Sequence, residues 1–257
     1  MFIRNERSIK EFRQAYPIVT TLVIIHLGLW IIIDLLQLPF GDTLYQFGAG
    51  SNYYIHQGEY WRLITPIFLH VNLTHALFNS FSLVLFGPAL EQMLGRTKFI
   101  IAYLAAGFIG NLGTYLFGSL DFSFVHVGAS GAIFGLFGIY IFMVTFRKHL
   151  IDQTSSQIIL TIVIVGLIMT FIRQNINIYG HIFGFIGGFA IAPIVLTGAK
   201  MYNHWATVAT RRNHSDDSIQ FDPNRWNKKR FPAKWKNHIW WIIFAILVFL
   251  GLMSRIL

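Results

Sequence analysis

The sequence predicts an all-α fold, a polytopic bundle of membrane-spanning helices. Of the 257 residues, 54% are hydrophobic and 12% are charged, against roughly 25% charged in soluble domains. Six uncharged runs are each long enough to cross a hydrocarbon core of about 30 Å as a helix, which takes roughly 20 residues. These runs are 14–33, 63–90, 99–120, 122–146, 153–172 and 174–199. A shorter seventh run, 237–254, either spans with Arg255 snorkelling or lies partly in the interface.

The distribution of basic residues predicts how the spans are oriented. With a cytoplasmic N terminus, the cytoplasmic side carries most of the 20 Lys and Arg, and the opposite side only Arg62, Arg173 and Arg255. The net charge of +9 is thus explained by membrane topology, so the lipid bilayer is an expected partner and nucleic acid is not. The chain has no cysteine, which excludes disulfides and thiolate chemistry. The first span is expected to be retained, since the charged N-terminal arm leads directly into a full-length span without a small-residue cleavage site.

One hydroxyl stands out in the fourth run, within Gly128-Ala129-Ser130-Gly131. A lone serine in a spanning helix usually serves packing, so a functional role requires partners. His181 lies early in the sixth run, and the second run holds His75 and Asn79, four residues apart and hence on one helix face. With the N terminus inside, all three runs start at the external face. At 1.5 Å per residue, Ser130 and His181 lie about 10 Å below that boundary.

Glycine spacing predicts which spans pack together. Small residues at intervals of three or four let helix backbones approach closely. The fourth span has such a ridge and so does the sixth, which favours direct contact between them. The two ridges are Gly131, Gly135 and Gly138, and Gly180, Gly184 and Gly188.

These polar residues match the requirements of acyl transfer. A serine and one neighbouring histidine suffice as nucleophile and base, and no aspartate lies at that depth in these spans, so a Ser130–His181 dyad is the simplest prediction. The Ser130 backbone N–H, the Asn79 amide and the His75 imidazole are candidate donors to an oxyanion. Each has a structural alternative: His75 and Asn79 can bond across helices, and His181 can be a structural residue at a helix start.

Five motifs in order resemble those of the rhomboid family of intramembrane serine proteases. They are Gly58-Glu59-Tyr60-Trp61-Arg62, His70-x4-His75-x3-Asn79, Glu91-x3-Gly95, Gly128-x-Ser130-Gly131 and His181-x2-Gly184-x3-Gly188. The resemblance covers about residues 18–199. It implies a six-helix bundle with a water-filled cavity open to the external side, and the family includes members with an extra seventh helix.

The resemblance also implies roles for individual residues. Ser130 would be the nucleophile and His181 the general base and then acid, while His75, Asn79 and the Ser130 amide would form the oxyanion hole. Phe134 stands where some members have a hydroxylated aromatic that stacks on this histidine, so stacking is expected without the hydroxyl hydrogen bond. The supporting residues are His70, Gly128, Gly131, Gly184 and Glu91, together with Trp61 and Arg62 in a half-immersed first loop.

The resemblance implies neither a metal nor another cofactor. It implies that the substrates are single-pass membrane proteins, which the family cuts in or near their transmembrane segment. The chain is expected to comprise a cytoplasmic arm (1–17), a protease core (18–199), a basic cytoplasmic linker (200–238) and a seventh transmembrane helix (239–257). The expected location is the cell membrane, with the site facing outward and the oligomeric state open.

Two rival functions remain. A catalytically silent rhomboid-like protein would bind membrane clients, although such proteins usually lack the serine or the histidine. A small transporter or channel would use the His/Asn cluster for ions. It predicts a polar path to the inner side, yet the inner halves of the fourth and sixth spans, 135–145 and 185–196, are almost wholly apolar.

Overall fold

The computed structural model describes residues 6, 8–173 and 176–203. The predicted linker beyond residue 203 and the predicted seventh helix lie outside these residues. The α-helices are α1 Ile9–Ala15, α2 Pro17–Trp30, α3 Pro39–Gly48, α4 Asn52–His56, α5 Leu73–Leu94, α6 Arg96–Phe117, α7 Ser130–Phe146, α8 Gln153–Ile172 and α9 Ile178–Val195. A π-helical turn, Ile31–Leu35, extends α2, and 3-10 turns lie at Tyr60–Leu63, Thr65–Phe68 and Lys148–Leu150. Two short strands, β1 Gly50–Ser51 and β2 Val125–His126, pair antiparallel.

The six predicted spans correspond to α2, α5, α6, α7, α8 and α9. Five of them are long and apolar enough to cross a membrane, counting α2 with its π-helical extension as Pro17–Leu35. The remaining one, α7, is apolar and has 17 residues. The protein is therefore an all-α, multi-pass membrane protein.

Three helices begin later than the uncharged runs suggest. The run around the serine starts at residue 122, yet α7 begins at Ser130, after Gly128 has adopted a positive φ of 129° that side chains rarely tolerate. Side chains of Asn72 and Asn177 cap α5 and α9. Ser130 is therefore the first helical residue of α7, so the helical rise that the sequence estimate applied to residues 122–129 does not hold for them. His75 and His181 likewise lie in the first turns of their helices. We call this end of the bundle, where α5, α7 and α9 begin, the site end.

The late start makes α7 short. Its 17 residues span about 26 Å, less than a hydrocarbon core of about 30 Å. The non-helical segment before it must satisfy its backbone groups within the protein. Gly128 N–H donates to the Pro66 carbonyl at 2.9 Å, and Val125 and His126 pair with β1. Protein contacts thus provide partners for part of this non-helical backbone.

At the opposite end, a buried carboxylate joins α2 to α5. Glu91 is 3% exposed and accepts hydrogen bonds from the N–H groups of Ile18 and Val19, at 2.9 and 2.8 Å. The first N–H groups of a helix have no intrahelical partner, and negative charge there is favoured by the helix dipole. Glu91 lies roughly 24 Å along α5 from His75, so its role is to hold the bundle together.

Replacing Glu91 by Ala tests this role. It leaves two buried N–H groups without an acceptor, and we expect a loss of about 1–3 kcal/mol in the free energy of unfolding, measured by thermal denaturation in detergent. The control is Gln92→Ala, because Gln92 also makes two backbone hydrogen bonds but in an exposed position; it should cost less than about 0.5 kcal/mol. Equal effects would contradict the special role of Glu91.

Candidate active site

The backbones of α7 and α9 touch at the site end. A Cβ atom added at Gly131 would lie 3.1 Å from the carbonyl oxygen of Gly180. One added at Gly184 or Gly188 would fall on the backbone oxygen of Gly131 or Gly135. The predicted contact between the two glycine ridges is therefore present. It brings the residues next to Ser130 and His181, which are Gly131 and Gly180, directly together.

The third predicted span, α6, packs on the same region through glycines. A Cβ at Gly110 would lie 2.6 Å from the Gly180 carbonyl oxygen, and one at Gly107 would lie 3.2 Å from the Cβ of Ala132. The start of α9 is fixed by Asn177, whose Oδ1 accepts the Gly180 N–H at 2.9 Å. Contacts with α6 and α7, together with the cap by Asn177, thus determine the position of the first turn of α9.

His75 and Asn79 lie against the segment that leads into Ser130. A Cβ on Gly128 would be 2.7 Å from the His75 Nε2 atom and 3.8 Å from the Asn79 Nδ2 atom. The Asn72 Oδ1 atom accepts the His75 N–H at 2.8 Å, which fixes the first turn of α5. The structure therefore gathers the serine segment and both candidate oxyanion donors at the site end.

The first backbone N–H groups of α7 are available as hydrogen-bond donors. Ile133 is the first residue of this region whose N–H makes a helical hydrogen bond, to the Ala129 carbonyl at 3.0 Å. The preceding N–H groups, from Ser130 onward, have no intrahelical acceptor, and within the described residues no side chain caps this helix. The positive end of the helix dipole is therefore directed at the space beside Ser130.

Asn79 donates one amide proton to the His75 carbonyl at 3.1 Å and carries a second amide proton.

The His181 imidazole is held on two sides. Phe134 stacks on it with ring centroids 4.2 Å apart and an interplanar angle of 16°, so the stacking implied by the resemblance is present. Phe134 lies four residues after Ser130 and hence on the same face of α7. The Nδ1 atom of His181 lies 2.8 Å from the Oγ1 atom of Thr170 on α8. The side chain of His181 is 8% exposed.

Sequence reasoning missed Thr170. A threonine in an apolar span usually bonds its own helix backbone, and Thr170 does so too, with its hydroxyl 2.8 Å from the Gly166 carbonyl oxygen. The only signal was a hydroxyl in the last turn of a span whose end lies near the start of α9.

His70 joins the site through a row of three imidazoles. Its ring centroid lies 5.0 Å from that of His75 and 4.9 Å from that of His26 on α2. Both ring nitrogens are buried without a partner among the described residues. Burial lowers the pKa of His70, and the neighbouring imidazoles lower it further, which favours the neutral ring. His70 is therefore a buried residue whose ring packs against that of His75.

Trp61 and Arg62 stabilise the first loop. Arg62 is 4% exposed, pairs with Glu59 at 2.7 Å, and donates to the carbonyls of Gln46 and Ala49 at 2.7 and 2.6 Å. Trp61, by contrast, is about half exposed, and its indole N–H donates to the Phe47 carbonyl at 3.0 Å. These side chains fix the end of α3 and the loop around it. With Glu91 at the far end of α5, they form a structural set distinct from the polar residues near Ser130.

The fold and the site define a class of multi-pass helical membrane proteins in which a serine and a histidine lie in the first turns of two touching helices. A family model described as "Rhomboid domain" matches residues 57–198, more than half of the chain. The chain belongs to the rhomboid family.

Named relatives agree with this membership. The chain is 48% identical over 195 residues to the putative rhomboid protease YdcA of Bacillus subtilis (strain 168), covering 75% of this chain and 94% of the relative. It is 40% identical over 151 residues to the rhomboid protease GluP of the same organism, covering 59% and 29%. A third relative, Rhomboid-like protease 1 of Toxoplasma gondii, is 32% identical over 184 residues, covering 68% and 62%.

The contact between α7 and α9 predicts a sharp difference between two glycines. In Gly184→Ala the new methyl group meets the backbone of Gly131, which cannot rotate away, so we expect a loss of about 1–3 kcal/mol in stability. Gly28 on α2 has no atom within 4 Å of an added Cβ, and Gly28→Ala should be neutral or stabilise by about 0.5–1 kcal/mol. Thermal unfolding in detergent measures both, and similar midpoints for the two variants would refute a tight contact.

Proposed function

We propose that this protein is an intramembrane serine endopeptidase with a Ser130–His181 dyad, and that it cleaves single-pass membrane proteins in or near their transmembrane segments. The observation that carries the proposal is the backbone contact of α7 and α9 beside these two residues, with Phe134 stacked on the imidazole. Relatives called rhomboid proteases support the same class of reaction.

In the proposed mechanism, the Ser130 hydroxyl oxygen attacks the scissile carbonyl carbon while His181 takes the hydroxyl proton. The imidazolium then gives that proton to the leaving amine, which leaves an acyl-enzyme on Ser130. Water attacks the ester with His181 again as base, and the proton returns to Ser130 as the acid product departs. One histidine performs every proton transfer, so its orientation is decisive.

The oxyanion formed in each attack needs donors in fixed positions. We assign this role to the Ser130 N–H, the second amide proton of Asn79 and the imidazole of His75. The position of Asn79 and His75 against Gly128, two residues before the serine, supports the assignment. Donors positioned in advance stabilise the developing charge more than they stabilise the neutral substrate carbonyl.

Substrate access and orientation complete the proposal. A substrate helix must unwind to expose its backbone to Ser130, which costs more in lipid than in water; a wet cavity at the site end would lower that cost. The charge bias of the loops supports a cytoplasmic N terminus, so the site would open to the external side. Residues 18–199 would form the catalytic core, between the N-terminal arm and the basic linker that precedes a seventh helix.

The first functional prediction concerns the dyad itself. In purified protein reconstituted in liposomes with a single-pass reporter, Ser130→Ala and His181→Ala should each lower cleavage by at least about 10³-fold. A fluorophosphonate probe should label the native protein and not Ser130→Ala. Ser156→Ala and His149→Ala are matched controls, because the Ser156 hydroxyl bonds the Asp152 carbonyl at the start of α8 and His149 is exposed; both should retain cleavage and labelling.

Full cleavage by Ser130→Ala, or labelling at another residue, would overturn the assignment. A native protein that binds the reporter but neither cleaves it nor reacts with the probe would identify a silent client-binding relative. Ion flux into the same liposomes without cleavage would identify a transporter.

A second prediction concerns the oxyanion donors. Asn79→Ala should lower kcat by about 10²-fold and leave KM nearly unchanged, because the donor acts on charge present only in the transition state. Asn111→Ala is the control, since Asn111 is also a buried amide that donates to a backbone carbonyl, that of Leu63 at 3.0 Å. It should lower thermal stability without lowering kcat. Equal effects on kcat would remove Asn79 from the oxyanion hole.

A further inference from the structure

We propose that Thr170 is a positioning residue for His181: its hydroxyl selects the imidazole tautomer that is protonated on Nδ1 and therefore has a free lone pair on Nε2. The catalytic consequence rests on the proposed function of the Ser130–His181 pair. The tautomer itself is a property of the folded protein and can be measured separately.

The geometry determines the direction of both hydrogen bonds at Thr170. Its Oγ1 atom lies 2.8 Å from the Gly166 carbonyl oxygen and 2.8 Å from the His181 Nδ1 atom. A hydroxyl has one proton to donate, and a carbonyl oxygen can only accept. The Thr170 proton is therefore directed at Gly166, and Oγ1 must accept a proton from His181 Nδ1.

A neutral imidazole carries only one N–H. With that proton on Nδ1, the Nε2 lone pair is the base available to Ser130. In the other tautomer, Nε2 would carry the proton and could not accept one. The hydrogen bond to Gly166 thus orients Thr170, and Thr170 in turn orients the histidine.

The surroundings protect this arrangement from competition by water. Thr170 is 1% exposed and His181 is 8% exposed, and Phe134 stacks on one face of the ring. In triads a carboxylate plays the equivalent part. A hydroxyl achieves the same selection without burying an ion in an apolar bundle, which would cost several kcal/mol.

The test compares three threonine variants. Thr170→Val removes the hydroxyl at nearly constant volume, and we expect kcat to fall about ten-fold, equivalent to about 1.4 kcal/mol, with KM changed by less than about two-fold. Thr170→Ser keeps the hydroxyl and should restore kcat. Thr161→Val is the control on the same helix, because Thr161 makes the same type of backbone bond, to Gln157 at 3.0 Å, in an exposed position; its kcat should not change.

Nitrogen-15 spectroscopy of protein labelled at histidine reads the tautomer directly, with the His181 signals identified by their loss in His181→Ala. Native protein and Thr170→Ser should show the Nδ1–H form, and Thr170→Val a mixture of both forms. An Nε2–H form in the native protein, or an unchanged tautomer and kcat in Thr170→Val, would overturn the proposal. Cleavage retained by Ser130→Ala would instead refute the proposed function and leave the tautomer result standing.

Discussion

The contact between the backbones of α7 and α9 is the constraint on which the site end depends. Gly184 and Gly188 lie against the carbonyl oxygens of Gly131 and Gly135, at separations that leave no space for a side chain. In lipid, helix association relies on close packing and hydrogen bonds rather than on the hydrophobic effect. The same packing that joins these two helices therefore also sets the distance between the first turns that carry Ser130 and His181.

The late start of α7 makes Ser130 its first residue, and several features outside α7 support the segment that precedes it. Eight residues before the helix, 122–129, are non-helical, and their backbone groups require partners because lipid supplies none. The carbonyl of Pro66 and strand β1 provide some of them, and Arg62 fixes the loop that carries β1 by binding carbonyls at the end of α3. The first loop is thus a structural support for the serine segment.

The spans and the α7–α9 contact could be predicted from the sequence, because the absence of charge and the spacing of glycines are properties of single segments. The helix starts could not be predicted in the same way. They depend on the φ of Gly128 and on the caps Asn72 and Asn177, and a count of uncharged residues detects neither. The contact of Thr170 with His181 depends on how α8 is rotated about its axis, and an almost uniformly apolar helix gives no indication of that rotation.

Among the described residues, the buried charged side chains Glu91 and Arg62 lie apart from the proposed catalytic groups. The buried carboxylate of Glu91 lies at the far end of α5 on two backbone N–H groups, and the buried guanidinium of Arg62 is paired with Glu59 and two carbonyls. Around Ser130 the structure instead gathers hydroxyl, amide and imidazole groups. A permanent charge there would have to be desolvated in every state, whereas these groups carry charge only while the reaction proceeds. In the proposed reaction, the resting site would therefore remain inside an apolar bundle, and the dipole at the start of α7 would act when the oxyanion forms.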